Sequence, residues 1–92
     1  MAHHNDVKKM VTGFQIRAAR AGLNITAREL AERAGVSLPT IQRFEAVDGV
    51  PPSRSSTLLD VKAALESAGI EFIGTPTDRP GIRFSPPSSG GG

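Results

Sequence analysis

Apolar positions recur at helical spacing through most of the chain and switch to alternation only near its end. Within TARELAERAGVSLPTIQRFE, residues 26–45, Leu30, Ala31 and Ala34 fall on one helical face, and Ile41 and Phe44 supply the buried face of a second helix. Thr26 is a good N-cap, and Glu29 three residues on completes a capping box. Gly35 can take the left-handed conformation of a sharp helix exit, and Ser37 caps the second helix. Pro39 falls in the first turn of that second helix, where its missing N–H costs nothing. The pattern predicts helices over about 27–34 and 38–47, joined by a tight turn. Ala31 is small where two helices crossing near a right angle approach closely.

The flanks extend this pattern. Thr12 caps a helix over about 13–22, with Phe14 or Ile16, Ala19 and Leu23 as apolar positions and Gly22 and Asn24 as breakers. Residues 48–56, DGVPPSRSS, read as a loop. Ser56 or Thr57 then begins a helix over about 57–68, with Leu58, Val61, Leu65 and Ala68 as its stripe and Gly69 as its end. IEFI, residues 70–73, and GIRF, residues 81–84, alternate, and breaker-rich GTPTDRP lies between them. This predicts a hairpin, with Pro76 and Pro80 weakening tight pairing. The resulting organisation is a flexible start over 1–10, a helical domain over 11–69, a strand extension over 70–84 and a disordered tail over 85–92.

Two short helices with a glycine turn are the outline of a helix-turn-helix, whose second helix can enter the DNA major groove. The stretch resembles the phage-repressor class, lambda-repressor-like or Xre-type. Leu30-Ala31, Gly35-Val36-Ser37, Thr40-Ile41 and Phe44-Glu45 carry the resemblance. It extends through IRAARAGLNIT upstream and TLLDVKAALESAGIEFI downstream, covering roughly residues 12–84. The resemblance implies a mainly α, four-helix domain, here with a C-terminal β-hairpin. It also implies a sequence-specific, double-stranded-DNA-binding transcriptional regulator, a repressor.

Composition narrows the picture. Ninety-two residues suit one small domain with a modest core. The absence of cysteine rules out disulfides and thiolate metal sites and suits a reducing cytoplasm. No apolar run approaches the ~20 residues that span a membrane. MAHHNDVKKM lacks the apolar block of a secretion signal, so a cytoplasmic protein is expected. The net charge of +2 is unevenly placed. Residues 8–54 carry eight basic side chains against four acidic ones, whereas residues 55–92 carry three against four. The excess lies with the reading unit, the sign needed for phosphate contact.

Carrying the resemblance over by position makes Leu38, Pro39 and Arg43 candidates for base contact. Gln42, one turn beyond Leu38, lies on the same side. Arg43 suits guanine O6 and N7, Gln42 suits adenine, and Leu38 and Pro39 suit a thymine methyl. Ala27, Arg28, Ser37 and Thr40 sit at the helix starts, where free N–H groups and the dipole favour phosphate, and Arg54 is placed to reach the flanking backbone. The resemblance further implies that Arg20 pairs with Glu45 as a brace for the reading helix. Enzyme chemistry finds little support: His3 and His4 are the only histidines, and there is no P-loop or GxSxG. No cofactor or metal is expected.

Specific sites usually engage two such domains, and exposed strand edges pair readily. A homodimer with Ile70, Phe72, Ile82 and Phe84 in its contact is therefore expected. The same features fit an antitoxin whose tail docks on a toxin. They also fit a protein-interaction module in which this face binds another regulator and not DNA.

Overall fold

The computed structural model describes residues 10–85. The expected flexible start and disordered tail lie outside it except at their inner ends. There Met10 packs against the core, and the Ser85 N–H donates to Gly69 O at 2.6 Å. Four helices are followed by one hairpin: α1 Gly13–Leu23, α2 Ala27–Ala34, α3 Leu38–Glu45, α4 Ser55–Ser67, β1 Ile70–Thr75 and β2 Asp78–Phe84.

The caps explain the boundaries. Thr12 accepts from the Gln15 N–H while the Gln15 side chain accepts from the Thr12 N–H, and Thr26 and Glu29 repeat the arrangement. Asn24 at φ 59° ends α1 and Gly35 at φ 72° ends α2, both left-handed. Gly22 stays within α1, since a lone glycine weakens a helix without stopping it. α3 stops at Glu45, before the expected 47. α4 begins at Ser55, earlier than Ser56 or Thr57, with Arg54 at its N-cap and no side-chain cap bond.

The core joins all four helices to the first strand. Ile16 and Ala19 of α1, Leu30 and Ala31 of α2, Ile41 and Phe44 of α3, and Leu58, Val61 and Leu65 of α4 are buried with Val11 and Ile70. Ile16, not Phe14, supplies the inward residue at the start of α1; Phe14 is 55% exposed. Pairing in the hairpin is antiparallel, with Ile70 opposite Phe84, Glu71 opposite Arg83 and Phe72 opposite Ile82. The prolines do not prevent it. A bulge between Ile73 and Thr75, with Gly74 at φ 75° and Arg79 at φ 51°, takes up the irregularity.

The hairpin lies on its own helices, which changes the role expected for its apolar face. Ile70 is only 3% exposed and belongs to the core, so it has no surface left for a partner. Phe72 and Ile82 pack against the same core. Phe84 is 55% exposed, with its ring tip over Gly22 of α1. Gln15, buried in α1, donates from its amide to Ile73 O at 3.3 Å and Gly81 O at 2.9 Å, anchoring both strands. No helix among the described residues is long and apolar enough to cross a membrane.

Candidate nucleic-acid interface

Alternation of buried and open positions along α3 sets the site. Ile41 and Phe44 turn inward, while Pro39, Gln42 and Arg43 are exposed. Leu38 differs from the expectation. It is half-buried and packs against the core, so only part of its side chain faces outward. Ser37 Oγ accepts from the Thr40 N–H at 3.2 Å and shares a hydrogen bond with Thr40 Oγ1 at 2.8 Å. Arg43 Nη2 lies 3.4 Å from that same Thr40 hydroxyl. The three side chains thus run along one exposed edge of α3.

The two helix starts are not equivalent. At α3, Pro39 has no N–H and that of Thr40 is bonded to Ser37, which leaves the Leu38 N–H. At α2, Thr26 takes the N–H groups of Glu29 and Leu30, while those of Ala27 and Arg28 have no bond within the described residues. The α2 start therefore offers more backbone donors to an anion, although the Ala27 side chain itself is half-buried against the core.

Behind this surface, two arginines of α1 grip the end of α3. Arg20 makes a fork with Glu45, Nε to Oε2 at 2.8 Å and Nη2 to Oε1 at 2.9 Å, and also donates to Ile25 O at 3.1 Å. The side chains are 27% and 11% exposed. The hydrogen bond from the guanidinium to Glu45 raises the Arg20 pKa above its ordinary value, against the opposing effect of burial. Arg17 has a structural role that sequence reasoning missed. It donates to Glu45 O at 2.6 Å and Val47 O at 3.2 Å and pairs with Asp48 at 2.7 Å. It also lies over the Phe14 ring, 5.4 Å from its centre. The Glu45 carbonyl ends α3 and lacks a helical partner, so a cation there is stabilising.

Gly13 completes the junction. Its N–H donates to Gly49 O at 2.8 Å, and a Cβ there would collide with the carbonyl oxygens of Phe44 and Val47. The N-terminus of α1 therefore abuts the C-terminus of α3 backbone to backbone. The only sequence signal for this contact was a glycine directly after a cap, where α1 had no local need of one.

Residues 16–52 match a family model described as helix-turn-helix. The matched segment is similar to the Xre/lambda-repressor-like helix-turn-helix. No curated protein matches the chain. The match spans α2, the Gly35 turn and α3, together with most of α1 and the loop that Arg17 holds. In this helix-turn-helix, Arg17 and Arg20 are committed to internal contacts, whereas Arg28, Arg33, Arg43 and Arg54 have no ion-pair partner among the described residues. The positive charge open to an outside partner is thus narrower than the sequence count, and it sits on α2, on α3 and at the start of α4.

Proposed function

We propose that the protein binds double-stranded DNA with α3 in the major groove and acts in the cytoplasm as a transcriptional regulator, a repressor that excludes other proteins from its operator. The observation that carries this reading is the outward edge of α3, where Pro39, Gln42 and Arg43 stand exposed on a helix fixed from behind by Arg17 and Arg20. Arg43 has the fork that reads guanine, and Gln42 the amide that reads adenine. Leu38 adds an apolar contact only through its outward part. Backbone donors of Ala27 and Arg28, the hydroxyls of Ser37 and Thr40, and the Arg54 side chain hold the flanking phosphates. The repressor acts as a twofold homodimer on an inverted repeat.

The test compares two arginines on a duplex selected from a random pool. Arg43→Ala is expected to weaken the selected site by ~1–3 kcal/mol and relax preference at one base position. Arg54→Ala is expected to weaken all duplexes alike and lower the salt slope by about one unit. Equal, sequence-independent losses would remove Arg43 from base reading. Absence of any duplex binding at low salt would replace this function with a protein-interaction role for the same face.

A further inference from the structure

The hairpin leaves one open edge with a matching pattern on the helix beneath it. The register and the bond from the Ser85 N–H to Gly69 O make 69/85, 71/83 and 73/81 the hydrogen-bonded pairs. The N–H and C=O groups of Ile82 and Phe84 therefore point away from β1, and they have no hydrogen-bond partner among the described residues. β1 has an outer edge too, but it begins at buried Ile70 directly after α4. The β2 edge instead ends in the half-open ring of Phe84.

We infer that this edge pairs with the same edge of a second copy, setting Ile82 opposite Phe84 of the partner subunit across a twofold axis at Arg83. The inference rests on the homodimer in the function proposed above and not on DNA binding. Pro80 and the end of β2 select the register. Pro80 holds the outward-facing position before Ile82 and carries no N–H, and β2 ends at Phe84. A twofold centred on Gly81 or Ile82 sets Pro80 where a donor is required. One centred on Phe84 or Ser85 sets Ile82 opposite positions past the end of β2 at Phe84. Centred on Arg83, each Ile82 and Phe84 gives both of its groups, and every donor is met.

The layer below fits the same axis. Gln15 reaches up to the strands and Gly22 lies under Phe84, so α1 runs beneath β2. At about 100° per residue, Ile16, Ala19 and Leu23 turn inward, and Phe14, Ala18 and Ala21 turn to the side where the second copy stands. Alanines at the middle of that stripe let the two α1 helices approach closely under a continuous four-stranded sheet. On the upper face the axis brings two arginines together, a repulsion that Glu71 offsets. Its carboxylate holds Arg83 at 3.1 and 2.9 Å through Nε and Nη2.

The chain has no cysteine, so Arg83→Cys introduces a single thiol. Residues facing each other in such a non-hydrogen-bonded pair have Cα atoms ~4.5 Å apart, within disulfide range. Oxidation of Arg83→Cys is expected to give a covalent dimer, and Thr77→Cys at the hairpin turn is not. In the unaltered protein, exchange of the Ile82 and Phe84 amides should slow about tenfold when about nine-tenths of the chains are dimeric by sedimentation, since only free chains exchange. Glu71→Ala should weaken the dimer, with added salt restoring part of the loss. A dimer mass with no slowing at Ile82 and Phe84 overturns the edge and leaves the dimer standing. A monomer mass at every concentration overturns both, while duplex binding by that monomer still supports the DNA-binding reading.

Discussion

Arg20 and Glu45 meet in the geometry that makes a guanidinium more than a point charge. Both nitrogens of the fork are used, and neither side chain is fully solvated. Exposed pairs contribute at most ~1 kcal/mol, so a larger coupling marks a brace. A double-mutant cycle on Arg20→Ala and Glu45→Ala is expected to give a coupling above ~1 kcal/mol in thermal or denaturant unfolding. Arg20→Ala should also weaken duplex binding by the proposed interface without itself touching DNA. Strict additivity in the cycle would make the two side chains independent. Arg17 acts differently, since it holds main-chain carbonyls that no substitution elsewhere can remove.

At the scale of elements, the hairpin is the part that needs its neighbours most. A two-stranded sheet is marginal alone, and here Ile70, Phe72 and Ile82 draw on the helical core while Gln15 bonds both strands. Its solvent face carries the cross-strand pair of Glu71 and Arg83. Hydrogen bonding from Arg83 and its charge hold the Glu71 carboxyl below its ordinary value. A carboxyl depressed in the folded state contributes stability above its unfolded pKa, and that contribution is lost as pH falls through the folded value. Following the Glu71 carboxyl by NMR through acid, the midpoint should lie below ~4.3 and return toward it in Arg83→Gln. An unchanged midpoint in that variant would show that the pair does not persist in solution.

For the whole molecule, one helix-turn-helix covers little DNA, and twofold proteins meet twofold sites. The proposed dimer is expected to select an inverted repeat with half-sites about 10 base pairs apart, or a multiple of that turn. Sequencing of the selected duplexes checks the spacing, and sedimentation on the selected site checks the stoichiometry. Single half-sites bound by one chain would remove the dimer from the mode of action.

By itself the sequence determined the four helices, the N-caps of the first three and the turn between α2 and α3. Those depend on neighbours three or four residues apart, as in Thr26 with Glu29 or Ile41 with Phe44. It also marked Arg43 and Gln42 as outward and Arg20 as a partner for Glu45, the last through resemblance. Tertiary structure decided what no local pattern encodes. It chose Ile16 over Phe14 for the core, turned Leu38 half inward, and spent Arg17 on the end of α3. It also drew Ile70 out of the expected dimer contact and into the core of its own chain. An alternating IEFI shows that one face seeks cover, but whether a helix or a second copy supplies it depends on which surfaces the chain brings within reach. Gly13 shows the same limit, because its missing Cβ answers to Phe44 and Val47, more than thirty residues along the chain.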